Sequence, residues 1–468
     1  MVSSMATKIL FVFGSGITAQ TFKSEGIINK ILQNQIFDPS IIIRHSLKNF
    51  DSNFYQEPWN DVIPDFYVPN PSSDRRYLIW MWSAMICYRN RSRAFRQRAK
   101  RRILGKYRRE YFKNYLDFSM YLAKNLVRKD NIWLYLCYLP FINIVVCKFL
   151  SRLVCNSEEL ESYIKILKPD LIILVTNGAE ATIEEVRKSS EINEIPWVML
   201  IDNWDNISSK SIFVKNPNLL LVWGEQHKKL AIKIHDIDQS KIRIVGSARL
   251  QVYKDHIYYT KFKNIINRIT YVGQQEPYDE LEDIQKILDA VNLGTSFIYR
   301  PHPLRTFSTE EVAKLVEIVQ NSNLMLSLDR THKSKNQLEK IKQFKSETSS
   351  HAIINSDLIL GPPTTMILEA LLCHRLTFVI TRDDKKHRTT SKIFWENYEH
   401  FDELKKISFL REIKDLSNFE ILLKKEIENL NEVHPQDSYI LKNIVDLDVD
   451  DYVKKIEDEF TFLLKQRD

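Results

Sequence analysis

Short, uninterrupted apolar segments, each followed by a helix-forming stretch, recur along this chain and restrict what it can fold into. Lys8–Phe13 meets Gly14-Ser15-Gly16. Leu171–Gly178, Trp197–Asp202, Leu219–Gly224 and Ile242–Ser247 follow, separated by mostly helical sequence such as Glu180–Ser189. A strand that is apolar on both faces has to be covered on both faces, and alternation with helices makes the sheet parallel. The pattern then restarts. Ile269–Gly273 precedes a helix with Leu281, Ile284, Leu288 and Val291 on one face, and Ser296–Arg300 precedes one with Val312, Leu315, Val316 and Val319 at i, i+3, i+4 and i+7. Leu324–Leu328, Leu358–Gly361, a helix from Thr365 onward and Leu376–Ile380 complete the series. The expectation is an α/β protein of two doubly wound parallel domains facing each other across a cleft. The first spans 1–260 with a basic, apolar helical insertion over 75–155, and the second spans 261–415. The boundary is placed near 255–268, where polar KDHIYYTKFKN gives way to a strand. Residues 416–468 read as a helical tail, whose Val449, Tyr452, Val453, Ile456, Phe460, Leu463 and Leu464 form a stripe able to pack back on a domain.

A chain of 468 residues, 44% hydrophobic and 27% charged, is neither disordered nor confined to one ordinary core. Its five cysteines (Cys87, Cys137, Cys147, Cys155, Cys373) are odd in number and contain no CxxC pair. Neither a disulfide framework nor a cysteine zinc site is expected, and a reducing compartment fits. The opening MVSSMATKILFVFGSG lacks the charged leader, long apolar stretch and cleavage site of a secretory signal, so a cytoplasmic location is expected. Ile132–Cys147 is uncharged but interrupted by Pro140 and Asn143, and falls short of the about 20 apolar residues a spanning helix needs. It reads as a buried or interfacial helix pair.

Charge is unevenly placed. Arg89–Lys113 holds twelve Lys or Arg against Glu110 alone, in a chain whose formal net charge is +7. Phe95, Ile103, Leu104, Tyr107, Tyr111 and Tyr115 recur there at roughly helical spacing, which suggests a basic helix with a partial apolar stripe. Its partner should be anionic. The neighbouring apolar window favours peripheral contact with an anionic membrane surface over nucleic acid, for which no zinc-finger spacing or RRM signature exists. A solvated face that binds nothing is the alternative.

Ligands of open parallel sheets bind at the carboxyl ends of strands, and the second half carries its motifs there. Arg300-Pro301-His302-Pro303 ends a strand, with two prolines restricting the backbone around the imidazole. Gly361-Pro362-Pro363-Thr364-Thr365 runs from a strand into a helix, where Thr364 or Thr365 would be the N-cap and the free N–H groups of the first turn favour an anion. Glu369, at i+4 from Thr365, is placed to accept hydrogen bonds from a ribose. Gly273 and Gln274, at the first strand end of this half, would approach the same phosphates.

The order strand, RPHP, helix, strand, GPPTT and Glu369, helix resembles the donor-binding half of GT-B glycosyltransferases, the class with two Rossmann-like domains. It is similar in particular to bacterial sialyl-, polysialyl- and Kdo-transferases and teichoic-acid glycerophosphotransferases, over residues 170–400 in organisation. In those enzymes an HP motif and a Ser/Thr pair hold the donor nucleotide, commonly CMP- or CDP-linked. The resemblance implies a metal-independent enzyme without a cofactor. It would move a sugar from a CMP- or UDP-linked donor to a glycan or lipid-linked acceptor in surface-polysaccharide synthesis of the capsule, lipopolysaccharide or teichoic type, with His302, Thr364 and Thr365 on the donor. Gly224 and Gly246-Ser247-Ala248-Arg249 resemble the WG and GS-x-R turns of the same enzymes.

Inverting transfer needs a group that takes the acceptor's proton. The polysialyl branch has an acidic-acidic-Gly motif of which no copy exists here. The base is therefore left among Asp202 and Asp205 of IDNWDNISSK and Glu180 of TNGAE. Asn203, Trp204 and Lys210 are expected to bind acceptor, Trp204 by stacking on a sugar, and the turn Gly14-Ser15-Gly16 to line the acceptor side. Two rivals stay open: a non-hydrolysing UDP-sugar 2-epimerase on the same fold, and a non-catalytic sugar-nucleotide-binding assembly protein at the membrane. Other signals are discounted. The GxGxxA at Gly14–Ala19 asks for an acidic residue ending a second strand, and Asp38 sits instead in FDPS, read as a turn. Asp446, Asp448, Asp450 and Asp451 read as a charged helix start, and Asp236 and Asp238 as a polar loop.

Overall fold

The structure is a computed structural model describing residues 6–33, 36–44, 65–67, 71–126, 131–139, 141–153, 157–176, 178, 180–256, 266–275, 278–291, 294–328, 332, 334–338, 341, 344–346, 348–429, 433–448 and 451–466. Cys155, Val449, Asp450 and most of the expected boundary segment lie outside them. The chain divides into two units. The first comprises Met1–Ile103, Ala123–Gln251 and Lys442–Asp468, and the second Leu104–Leu122 and Val252–Leu441. Each is a Rossmann-like α/β unit built on one seven-stranded parallel sheet.

In the first unit the strands are β1 (Thr7–Phe13), β2 (Phe37–Arg44), β3 (Asp65–Tyr67), β4 (Leu171–Thr176), β5 (Trp197–Ile201), β6 (Leu219–Val222) and β7 (Ile242–Ile244), in the order β3-β2-β1-β4-β5-β6-β7. Every residue of β4, β5 and β6 is buried, which is what their unbroken apolar sequence requires. The expected turn FDPS is instead the start of β2. Pro39 pairs only towards β1, because β3 reaches no further than Ile42–Arg44, so no ladder bond is lost at its missing N–H.

The tail is not one element. The helix Phe419–Asn429 belongs to the second unit, and the chain returns to the first within the helix Pro435–Ile444. The last helix, Tyr452–Lys465, is capped by Asp451, whose side chain accepts from the N–H groups of Val453 and Lys454. It buries Tyr452, Val453, Ile456 and Phe460 in the core of the first sheet, with Phe460 edge-on to Phe11 at 6.2 Å between ring centroids. Each such side chain contributes about 1.5–3 kcal/mol. The returning backbone explains two turn glycines. A Cβ on Gly224 would lie 2.6 Å from the Asn443 carbonyl, and one on Gly246 (φ 82°) 2.3 Å from that of Asp446.

The insertion is helical: Pro71–Cys87, Arg93–Leu104, Tyr115–Leu126, Asn131–Leu136 and Ile142–Leu153. Arg44 at the end of β2 anchors it, pairing with Asp74 of the first helix and, at 3.2 Å, with buried Glu185. The basic stripe expected to run on to Tyr115 is broken. Its helix buries Ala94, Phe95, Ala99 and Ile103 and stops at Leu104, before Gly105 (φ 79°), and Tyr107 then bridges antiparallel to His387. Several of its charges are already engaged. Arg91 pairs with Asp236, Arg98 donates to the Ser209 carbonyl at 2.7 Å, and Arg108 pairs with Asp383 at 2.9 Å. The uncharged window forms the expected helix pair, Asn131–Leu136 and Ile142–Leu153. Among the described residues no helix is long and apolar enough to cross a membrane.

In the second unit the strands are β8 (Arg268–Val272), β9 (Ser296–Arg300), β10 (Leu324–Leu328), β11 (Phe344–Ser346), β12 (Leu358–Gly361), β13 (Leu376–Ile380) and β14 (Leu410–Ile413), in the order β11-β10-β9-β8-β12-β13-β14. The helix Glu280–Ala290 buries Leu281, Ile284 and Ile287, so its inward face is turned slightly from the expected one.

Candidate functional site

Where strand order reverses in a parallel sheet, the loops leaving the two strands diverge to opposite faces and open a crevice at the carboxyl edge. In the second unit that reversal lies between β8 and β12. Gly273-Gln274 leaves β8, Pro362–Thr365 leaves β12, and Pro301-His302-Pro303 leaves β9, the next strand over. With neighbouring strands about 4.8 Å apart, the three loops share about 10 Å of one edge.

Thr364 is the N-cap of the helix Thr365–Leu372 (φ −141°, ψ 169°), yet its side chain makes no capping bond. Its Oγ1 is buried without a hydrogen-bond partner among the described residues. The N–H groups of a first helical turn have no intrahelical acceptors and carry the positive end of the dipole. Gln274 is 4% exposed, and neither its Nε2 nor its Oε1 has a hydrogen-bond partner among the described residues. A buried polar atom left unpaired costs about 1–3 kcal/mol, and these three atoms at one switch point offer hydrogen-bonding capacity that a polar ligand could fill. His302 is half-buried. Its Nδ1 accepts from Leu304 N at 3.1 Å and its carbonyl accepts from Arg305 N at 2.8 Å, so the turn itself orients the ring.

Two residues without a motif in the sequence, Glu280 and Arg305, tie these loops together. Glu280 is fully buried. Its Oε1 accepts from Gln274 N at 2.7 Å, its Oε2 accepts from the Tyr299 hydroxyl at 2.6 Å, and Arg305 pairs with it at 2.9 Å. Arg305 also meets Glu311 at 3.0 Å and the Tyr278 carbonyl at 3.1 Å. Burial pushes the Glu280 carboxyl above its ordinary value, opposed by Arg305. In the sequence Glu280 is one acid among several at a helix start and Arg305 one base after a turn, which is why neither stood out.

Two expected donor contacts point elsewhere. The Arg300 guanidinium is 2% exposed and donates to the hydroxyls of Ser327 at 2.9 Å and Ser349 at 3.1 Å, inside the unit. Glu369 is 1% exposed and accepts from the Tyr253 hydroxyl at 2.6 Å, which occupies the oxygen assigned to a ribose.

The first unit reverses between β1 and β4. Gly14-Ser15-Gly16 leaves β1, and Ser15 caps the helix Gly16–Ser24 by accepting from Thr18 N. Glu180 follows β4. Its Oε2 accepts from the Thr176 hydroxyl at 2.8 Å and lies where a Cβ on Gly14 would come within 2.0 Å, so only glycine admits the carboxylate there. Its Oε1 is enclosed without a hydrogen-bond partner among the described residues. Burial raises the carboxyl to about 7, with Thr176 and Arg44 opposing and Asp202 adding to the rise. Asp202 follows β5 on the same edge. Its Oδ1 is likewise buried and unpartnered among the described residues, and burial raises its carboxyl to about 6 against Arg249, the Thr18 hydroxyl and Lys210.

Asp205 differs from both: Lys210 pairs with it at 2.9 Å, and the Ser209 hydroxyl donates to it at 3.3 Å. Lys210, expected on the acceptor, is thus engaged with Asp205. Trp204 is not available for stacking. It is 1% exposed, with its indole N–H donating to Gln226 at 2.8 Å. Asn203 accepts from Trp204 N at 3.0 Å. The residue ending β2 is Arg44, not an acid, which further disfavours a dinucleotide at Gly14–Ala19.

No family model matches the chain. A stretch of 111 residues is 31% identical to part of an uncharacterized protein of Methanocaldococcus jannaschii, covering 22% of this chain and 20% of that protein, so the match spans about a fifth of that relative's length. Among solved structures, the UDP-GlcNAc 2-epimerase of Methanocaldococcus jannaschii with UDP-GlcNAc and UDP is 12% identical at a TM-score of 0.45, covering 97% of this chain and 100% of that one. The Neisseria meningitidis UDP-GlcNAc 2-epimerase bound to UDP-GlcNAc is 10% identical at 0.48, with 97% and 100% covered. The wall teichoic acid polymerase TagF is 10% identical at 0.43, with 98% and 89% covered.

Proposed function

We propose that this protein is a glycosyltransferase that uses a CMP- or UDP-linked sugar. The second unit holds the donor nucleotide at the edge formed by β9, β8 and β12, and Glu180 of the first unit takes the proton of the acceptor hydroxyl. The observation that supports the donor site is that His302, the uncapped helix start at Thr364 and Thr365, and the buried amide of Gln274 share one carboxyl edge of the sheet, at and beside its switch point. Donors fixed beside the departing phosphate stabilise its charge as the sugar leaves, and the amide suits the donor and acceptor groups of a ribose or base. A carboxyl near 7 is basic enough to accept a proton and still about half ionised at neutral pH. Asp202 favours the protonated form that results.

The donor site is tested by a thermal-shift panel of CMP, CDP, UDP and GDP, followed by calorimetry with the best binder. His302→Ala is expected to weaken that nucleotide by about tenfold or more, the worth of a hydrogen bond to a charged group. Unchanged affinity would remove His302 from the site. Release of free nucleotide only when acceptor is added marks transfer. Conversion of the donor sugar without acceptor would mark the epimerase instead, and binding without turnover the assembly protein.

The same reading places the acceptor, a glycan or lipid-linked sugar, at an anionic membrane surface. The helix pair of the insertion supports this better than the basic segment does. Phe141 is 92% exposed, Ile144 71% and Val145 66%, and Lys148 and Arg152 lie exposed on the same helix. Ile144→Asp with Val145→Asp is expected to abolish flotation with vesicles containing phosphatidylglycerol. Undiminished flotation would rule this ridge out as the anchor.

A further inference from the structure

Cys87 closes the helix Pro71–Cys87, Cys137 follows the helix Asn131–Leu136, and Cys147 lies within Ile142–Leu153. Separations of fifty and ten residues match no metal-binding spacing, so the sequence concealed what the packing of these three helices achieves. The three sulfurs all lie within 4.8 Å of one another, with Cys137 and Cys147 at 3.9 Å. None of the three is in a disulfide. Thiolates around one tetrahedral or trigonal ion, with metal–sulfur bonds of about 2.3 Å, stand about 3.8–4.0 Å apart. The Cys137–Cys147 separation is that of a coordination edge, and Cys87 lies close enough to complete the set.

Burial and charge agree with this. Cys137 is fully buried, and Cys87 and Cys147 are half-buried. Arg89, whose guanidinium lies 4.8 Å from the Tyr138 ring centroid, adds positive charge beside Cys137 and Cys87.

We infer that Cys87, Cys137 and Cys147 form a three-thiolate site for a thiophilic d10 metal ion such as Zn2+ or Cu+. Three sulfurs without a nitrogen or carboxylate donor select soft ions. Bound there, the ion would clamp the helix pair that displays Phe141, Ile144 and Val145 onto the helix Pro71–Cys87. The inference stands apart from the proposed transferase activity and is independent of it.

The test uses the full chain, reduced and metal-free, titrated anaerobically with Cd2+. The expected result is a sulfur-to-cadmium charge-transfer band that saturates at one ion per chain and protects Cys87, Cys137 and Cys147 from alkylation, read by mass spectrometry. Cys137→Ser and Cys147→Ser should each lose the band, and Cys373→Ser, in the other unit, should keep it. No band in the unaltered chain, or a band that survives both substitutions, overturns the inference. Should the variants fail to fold, alkylation of Cys147 in the unaltered chain decides it, and equal rates with and without Cd2+ overturn it.

Discussion

Glu180→Gln should lower turnover by about 100- to 10,000-fold while leaving nucleotide affinity unchanged, and should make the protein more stable at alkaline pH. The carboxyl lies against Gly14 and Thr176 with one oxygen enclosed and unpartnered among the described residues, and burial raises it from an ordinary 4.5 to about 7. The folded chain therefore holds a proton between those two values that the unfolded chain releases. The stability this provides is complete below 4.5 and is lost as pH rises through 7. Above that, the buried charge costs up to about 3 kcal/mol. A neutral glutamine escapes the cost. Its advantage in urea unfolding should be largest at pH 8 and vanish near pH 4, and the acidic limb of the rate profile near 7 should disappear with the residual activity. A variant that loses activity and stability together would show Glu180 to be structural. Asp205→Asn, which removes a carboxylate already paired with Lys210, should affect turnover far less.

Glu280→Gln is expected to have the largest effect on stability. Arg305 is buried, and Glu280 is its fully buried counter-charge, while the Glu311 carboxylate it also meets is 38% exposed. Removing the charge leaves a guanidinium in the interior with a weak partner, at a cost of about 3–5 kcal/mol. Urea unfolding should show that loss. The same carboxylate holds Gln274 N and the Tyr299 hydroxyl, so nucleotide affinity should fall even under conditions where the variant is folded. Glu420→Gln, which removes an exposed pair with Lys424, should change neither quantity. A Glu280 variant of normal stability would contradict the burial of this network.

The central strands of both sheets were legible because each had to be predominantly apolar on both faces. Ser296–Arg300, Leu324–Leu328, Leu358–Gly361 and Leu376–Ile380 form as read. Edge strands carry no such demand. Asp65–Tyr67, Phe344–Ser346 and Leu410–Ile413 are short or polar because one side of each faces no neighbour, and they left no pattern. Strand order itself came only from the structure, and with it the fact that His302, Gln274 and Thr364 share an edge. Side-chain direction was the other hidden quantity. Trp204, Arg300 and Glu369 are residue types that bind sugars and nucleotides, but each is turned inward to complete a buried hydrogen bond. Spacing along a chain says nothing about that choice, just as it concealed the meeting of Cys87, Cys137 and Cys147.

The claim that matters most is that the carboxyl edge of β9, β8 and β12 receives a nucleotide. A crystal structure of the chain with whichever of CMP, CDP, UDP or GDP gives the largest thermal shift tests it directly. A phosphate is expected within hydrogen-bonding distance of His302 and of the first N–H groups of the helix Thr365–Leu372, with the Gln274 amide on the same ligand. A nucleotide seated on Gly14–Gly16 instead, or one that leaves Gln274 and Thr364 untouched, would contradict it.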